Sequence, residues 1–260
     1  MPRQNRRPQK KNRRNSRRKM VIRRSPAPLQ TLAKLNYHTR FQLDPNNTAL
    51  VGAVQKDGSL TGHWFRLNSL NDPDYSSVTQ SNNVGDLNHQ PYGYDQWSAI
   101  YNAYDVLGVK MTATFFNQNT NTYVSNVSGA DEGDPYTITP VPSNAGVFVG
   151  LHFDSDITLE NSISHMFEAG KIKARTLLPG RQTTISKKWS ANRFKKILDS
   201  KVDEIQTDAQ VGHNPLTTAY GGCFCNAISP VPNLNIPPID CHVKLEFIAK
   251  FKDLRDIVQS

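Results

Sequence analysis

At 260 residues and a formal net charge of +9, the chain is long enough for one all-β domain or two small ones. No apolar run approaches the roughly 18 residues that a membrane span needs, so no membrane insertion is expected. Cys223, Cys225 and Cys241 are too few, and odd in number, for a secreted disulfide framework. The charge is divided unevenly. Residues 1–30 hold 12 basic and 0 acidic side chains, 31–170 hold 5 and 14, 171–198 hold 9 and 0, and 199–260 hold 5 and 8. A mildly acidic body thus carries two basic zones, and a polyanion is expected at one side of it.

The first zone opens the chain, with Arg3, Arg6, Arg7, Lys10, Lys11, Arg13, Arg14, Arg17, Arg18, Lys19, Arg23 and Arg24. The positions between them are mostly Pro, Gln, Asn and Ser, which bury too little apolar surface to offset the entropy of ordering. Like-charge repulsion extends such a segment further. Residues 1–30 are therefore predicted to be a disordered nucleic-acid-binding arm, because each phosphate neutralised releases condensed counterions. Residues 31–260 are predicted to form the folded body. A solvated tail serving only nuclear localisation is the plainer alternative, and one tract can do both. No apolar h-region follows the basic start, so no secretory signal is expected. Reduced thiols in an intracellular protein fit, and the sequons at Asn46 and Asn126 would go unused.

Ser25-Pro26-Ala27-Pro28 makes a semi-rigid exit from the arm. From Lys34 to Leu43 polarity alternates, which predicts a half-buried strand, ended by the turn residues Asp44-Pro45-Asn46-Asn47. A second strand is expected over His63–Leu67, then an exposed loop over Asn71–Asn88. Between Tyr94 and Tyr104 the period changes: Trp97, Ile100, Tyr101 and Tyr104 share one face of a short helix. A long strand follows with Val109, Met111, Ala113 and Phe115 on one side, then a loop over 117–144 and a strand through Val147, Val149, Leu151 and Phe153. Leu159, Ile163, Met166 and Phe167 predict an amphipathic helix that Gly170 ends.

Residues 171–178 and 183–189 read as strands separated by the Pro179-Gly180 turn. Ser190 is placed to cap a helix, with Trp189 and Phe194 as its hydrophobic staple. Tyr220–Ile228 is a further strand and Pro230–Pro238 a proline-interrupted loop. The last strand is the clearest, with Val243, Leu245, Phe247, Ala249 and Phe251 on one face and His242, Lys244, Glu246, Lys250 and Lys252 on the other. The sum is an all-β chain: an eight-stranded antiparallel sandwich or jelly roll with long loops and short helices within them. Doubly wound α/β is disfavoured, since helices do not alternate with strands.

Three features together resemble the capsid proteins of circular, Rep-encoding single-stranded DNA viruses, circovirus-like in the broad sense. They are the Arg-rich arm of residues 3–24 before a β-rich body, the stretch Tyr94-Asp95-Gln96-Trp97-Ser98-Ala99-Ile100-Tyr101-Asn102-Ala103-Tyr104-Asp105-Val106 before a long alternating strand, and the C-terminal strand 243–251 after a Pro-rich loop. The resemblance implies a single jelly roll that self-assembles with identical subunits into an icosahedral shell. It also implies an arm on a single-stranded DNA genome, recognition of that arm by a host nuclear import receptor, and residence in the virion and, during assembly, the host nucleus. It does not identify a host-cell attachment factor. The longer loops and the Gln and Asn spacers of the arm leave the group open, and capsid proteins of small positive-strand RNA viruses share arm and jelly roll. Twelve arm charges in roughly sixty copies would bring on the order of 700 positive charges to a genome. From another class, a cellular nucleic-acid-binding β-sandwich with a basic tail is the rival.

The second basic zone contains Lys171, Lys173, Arg175, Arg181, Lys187, Lys188, Arg193, Lys195 and Lys196. Spacing by two puts Lys171, Lys173 and Arg175 on one strand face, with Ile172, Ala174 and Thr176 on the other. Lys171, Lys173, Arg175, Lys187 and Lys188 are candidates for phosphate contacts that position without reading bases; a solvated strand face or an intersubunit contact is the alternative. Trp189 beside Lys187 and Lys188 invites base stacking, although the staple favours packing. Cys223, Cys225, Cys241 and His242 are soft ligands without the usual zinc spacing, and buried hydrophobes is the plainer reading. Asp154 and Asp156 could hold calcium, although helix capping by Asp156 accounts for the pattern. No metal and no cofactor is expected. Walker-type, Gly-x-Ser-x-Gly and His-Glu-x-x-His signatures are absent, so no enzymatic activity is expected either.

Overall fold

Period-two alternation of apolar and polar side chains resolves into eight principal strands in a computed structural model. The structure describes residues 28–43, 60–75, 89–118, 123–124, 146–155, 167–168, 170–198, 206–228, 234–235 and 238–255. The strands are β1 (Gln30–Leu43), β2 (Leu60–Arg66), β3 (Tyr101–Phe116), β4 (Val147–Asp154), β5 (Ile172–Leu177), β6 (Gln182–Ser190), β7 (Tyr220–Ala227) and β8 (Ile239–Leu254). Two helices are described over most of their length, α1 (Tyr94–Ser98) and α2 (Ala191–Leu198).

Pairing is nested. β1 pairs with β8, β2 with β7, β3 with β6 and β4 with β5, every pair antiparallel. β8 also pairs with β3, and β4 with β7, which gives two sheets in the orders β1-β8-β3-β6 and β2-β7-β4-β5. First strand on last, second on seventh, third on sixth and fourth on fifth is the winding of a double-sheet jelly roll. The expected all-β, eight-stranded sandwich is therefore the observed one. A short strand, Asp208–Gln210, adds to the near end of β3, and Tyr123–Val124 pairs with Leu234–Asn235.

The two sheets meet in one apolar core. Leu35, Tyr37 and Phe41 of β1, Met111 and Phe115 of β3, Val149 and Leu151 of β4, and Leu245, Phe247 and Phe251 of β8 all belong to it. Burying such side chains stabilises by about 1.5–3 kcal/mol each, set against the ordering entropy of the strands. All three cysteines lie in the interior. Burial, then the neighbouring Cys223 thiol, pushes Cys241 well above its ordinary pKa, so the group stays neutral. A second cluster, Trp64 and Phe224 with Ile172, Ala174, Tyr75 and Tyr220, covers the opposite face of the second sheet. Here β7 needs glycine. A Cβ on Gly222 would lie 2.7 Å from the Trp64 ring, so the indole occupies the space a side chain would take.

The aromatic stretch differs from expectation. The helix predicted over Tyr94–Tyr104 ends at Ser98, and Tyr101 already opens β3. Three of the four predicted residues nonetheless converge: Trp97, Tyr101 and Tyr104 have ring centroids 5.7, 6.1 and 6.4 Å from that of Phe251, whereas Ile100 is exposed. A helical turn followed by a bulged strand mimics a 3.6 period. The register of β3 on β8 shifts at Ile248/Ala249, so buried residues fall at Tyr104 and Val106 on one side of the bulge and at Val109 and Met111 on the other. The β3 strand is thereby eight residues longer at its start than Val109 suggested.

The loop expected over Asn71–Asn88 is also corrected where it is described. Residues 71–75 fold back on β2, with Tyr75 N donating to Trp64 O at 3.0 Å, and Asp74 is 1 % exposed. Its carboxylate meets His63 Nε2 at 2.8 Å, and Phe41 stacks on the imidazole with centroids 3.9 Å apart. The Tyr37 hydroxyl also faces Asp74, at 3.5 Å. Burial, then the carboxylate, pushes that phenol far up from its ordinary value. The amphipathic helix of 159–167 and the putting of Asp156 at its cap fall almost wholly outside the described residues; Phe167 and Glu168 are helical, and Gly170 follows with φ 65° and its N–H on Phe167 O at 3.0 Å. Among the described residues, no helix is long and apolar enough to cross a membrane.

Candidate nucleic-acid interface

The cations of the predicted arm, Arg3 through Arg24, lie outside the described residues. The point where the arm joins the body is described. Tyr101 Oη donates to Pro28 O at 2.8 Å, and Gln30 opens β1 opposite Lys252 of β8. β1 is the outer strand of its sheet. Pro28 therefore lies at one corner of the first sheet.

Alternation makes the solvent-facing side of that sheet basic. Residues of β1, β6 and β8, and of β3 beyond its bulge, alternate between core and solvent, so Lys34, Arg40, Lys110, Lys188 and Lys244 are exposed together. The register places Lys244 opposite His38 of β1 and Thr112 of β3, and Lys110 opposite both Glu246 and Lys188. Glu246 tempers the row: its carboxylate meets Lys110 Nζ at 3.3 Å and Lys244 Nζ at 3.1 Å, and these bonds lower its pKa. Asp208 does the same for Lys252, at 2.6 Å. His38 is driven down by burial and then by His242, so near neutrality it adds little charge. The surface can hold backbone phosphates by charge without reading sequence.

The second basic zone splits. Lys173 and Arg175 lie opposite Leu151 and Val149 of β4, on the core-facing side, but β5 is an outer strand and both are exposed. Ile172 and Ala174 face the other way, toward Trp64 and Phe224, so the predicted division of faces holds. Lys173 Nζ donates to Ser186 O at 3.1 Å across the sheets. Lys171 precedes β5 and turns to Asp154, at 2.6 Å. Lys187 and Lys188 do not act as a pair: Lys188 points outward opposite Lys110, whereas Lys187 points inward opposite Met111. The inward Lys187 ammonium sits 4.9 Å over the Phe153 ring and donates to Lys171 O. Its signal was present in the sequence, since Lys187 shares parity with Ile185 and Trp189. Trp189 and Phe194 rings lie 5.6 Å apart, as the staple requires.

Other candidate ligand sets do not assemble. Cys241 points into the core and His242 away from it, where its ring lies 5.0 Å from Phe116. Asp154 is engaged by Lys171, with His152 Nε2 at 3.7 Å. Among the described residues no group of three His, Cys, Asp or Glu side chains could hold a metal ion.

Searches of protein families and of curated proteins find no match to this chain. Among solved structures the chain is similar to the subunit of a semi-empty virus-like particle of the giant freshwater prawn Macrobrachium rosenbergii nodavirus, at 10 % identity and a TM-score of 0.43, covering 89 % of this chain and 98 % of that one. It is similar to the mud crab tombus-like virus structure at 11 % identity and a TM-score of 0.38, covering 89 % and 90 %. A decameric BFDV capsid protein matches at 11 % identity and a TM-score of 0.36, covering 86 % and 99 %.

Proposed function

We propose that the chain is the capsid subunit of a small virus, assembling with identical copies into an icosahedral shell of about sixty and packaging a single-stranded genome, DNA in preference to RNA. The observation that carries this reading is the corner at Pro28. A segment with twelve cations and no carboxylate joins the jelly roll there, next to the exposed lysine row of the first sheet. The cation-rich segment and the basic sheet face are contiguous in the chain at that corner, and the net-negative remainder of the body can be kept apart from the packaged polyanion. A jelly roll also gathers its loops at two ends, where they can make specific contacts between symmetry-related copies. The division into an arm of residues 1–30 and a shell domain of residues 31–260 is part of the same proposal, as are entry to the host nucleus through the arm and residence in the virion. No catalytic role is assigned.

The test is particle formation and its salt-dependent hold on oligonucleotides. Purified protein should form large uniform particles in negative stain. Arg13, Arg14, Arg17 and Arg18 replaced together by Ala should reduce the slope of log K against log salt by about 3, taking roughly 0.7 per phosphate contact on a single strand. A folded protein that stays monomeric with and without oligonucleotide would support the cellular binding module instead. An unchanged slope would remove the arm from packaging.

A further inference from the structure

The sandwich opens where the outer strands β5 and β6 of the two sheets run past each other. Beside that edge, between the end of β4 and the Gly170-Lys171 turn on one side and β6 with the start of α2 on the other, lies a cleft of about 360 Å³, lined by Phe153, Asp154, Lys171, Lys187, Lys188, Trp189 and Arg193. This is the small end of the range for small-molecule sites, the scale of one nucleotide. Four cations line it against one carboxylate, and that carboxylate is committed: Asp154 holds Lys171 at 2.6 Å.

Lys187 is the unusual member. Its β6 position faces the core, opposite the fully buried Met111, so its ammonium is carried inward on an apolar stem and rests over Phe153. Its hydrogen bond goes to the Lys171 carbonyl, and it forms no ion pair with a described residue. Burial, followed by the Arg193 guanidinium, pulls its pKa down to about 8; Asp154 opposes this and Lys173 adds to it. A half-buried cation surrounded by cations is costly unless a counter-charge arrives. Two residues along β6, on the same side of the strand as Lys187, stands an aromatic ring. Trp189 rests on Phe194, and its indole Nε1 is buried with no hydrogen-bond partner among the described residues, a donor left for something else to accept.

We propose that this cleft binds one phosphate of a single-stranded nucleic acid together with its nucleoside. Lys187 and Arg193 take the phosphate oxygens, and the Phe153 and Trp189 rings take sugar and base. The Lys171–Asp154 pair closes one side and leaves Asp154 unable to repel the incoming anion at full charge. Aromatic surface beside cations is how single strands are held without sequence preference. The cleft deepens the packaging reading by giving the body a discrete nucleotide contact of its own, independent of the arm.

Thymidine 5′-monophosphate, thymidine and inorganic phosphate are titrated into the full-length protein and into Lys187→Met and Arg181→Gln, with calorimetry and tryptophan fluorescence as readouts. The monophosphate should saturate and change the tryptophan emission, thymidine and phosphate each binding at least tenfold more weakly. Lys187→Met should lose at least tenfold in monophosphate affinity while melting no lower than the parent without ligand, since it removes a half-buried charge and keeps the stem. Arg181→Gln, one charge removed in an exposed turn, should bind within twofold of the parent. Lys187→Met binding within twofold would overturn the proposal, and so would thymidine or inorganic phosphate binding as tightly as the monophosphate. If Lys187→Met does not fold, the exposed Arg193→Gln replaces it, with at least a threefold loss expected and no loss overturning the assignment. Particle formation and oligonucleotide retention are scored on the same preparations. Monophosphate binding without them sustains the cleft and removes the capsid reading, whereas particles that hold oligonucleotide but no monophosphate remove the cleft alone.

Discussion

His152 sits in β4 with 1 % of its surface exposed, its ring edge-on to Trp64 at 5.6 Å, and neither ring nitrogen makes a hydrogen bond to a described residue. Burial drives its pKa from 6.5 down to about 4. Asp154, 3.7 Å away, opposes the shift, and Lys187 and Lys171 reinforce it. The folded value lies below the unfolded one, so between pH 6.5 and 4 the unfolded chain binds a proton that the folded chain refuses. The contribution is present above pH 6.5, falls as the pH is lowered, and is fully lost below 4. With these two values, moving from pH 7 to pH 5 costs about 2 kcal/mol, and the loss approaches about 3 kcal/mol below pH 4. His152→Phe keeps an aromatic ring against Trp64 and removes the titration. Urea unfolding of the full-length protein at both pH values, followed by tryptophan fluorescence, should show the parent losing about 2 kcal/mol more than the variant between pH 7 and pH 5. Equal losses in parent and variant would refute the reasoning and place the acid sensitivity elsewhere.

Asp74→Ala should cost about 1–3 kcal/mol, because it removes the buried carboxylate that His63 Nε2 meets and the Tyr37 hydroxyl faces; urea midpoints check this. A double variant that also replaces His63 by Leu should recover part of that loss. Gly222→Ala should destabilise by about 1–3 kcal/mol or prevent folding, since the new methyl meets the Trp64 ring at 2.7 Å; Gly212→Ala, with open space around it but φ 86°, should be milder. Cys223, Cys225 and Cys241 should resist iodoacetamide in the native protein and react together on unfolding, as mass spectrometry would show. Fast labelling of any one of them under native conditions would contradict their burial.

Face assignments were legible in the sequence because alternation survives in the letters. Val243, Leu245, Phe247, Ala249 and Phe251 of β8 are all buried, and their neighbours Lys244, Glu246 and Lys250 are not. Partners were not legible, because alternation states which side a residue faces and nothing about which strand lies beside it. Residues 171–178 and 183–189 read as consecutive strands around a turn, yet β5 and β6 belong to different sheets. Two further features were hidden for different reasons. Asp74 stands among Asn71, Asp72, Pro73 and Tyr75, and a polar run of that kind reads as loop whether or not one carboxylate turns inward to a histidine eleven positions earlier. Lys187 announces a cation that must be exposed, until its parity with Ile185 and Trp189 is counted.

The nested winding has a consequence for synthesis. Gln42 and Asp240, 198 positions apart, are joined by a hydrogen bond, and among the described residues the long partner of β1 is β8. On a ribosome β1 must wait for this pairing until β8 has emerged; such distant closures are slow. Any cut that removes β8 thereby strips β1 of its long partner and β3 of one neighbour, and opens the first sheet along its length.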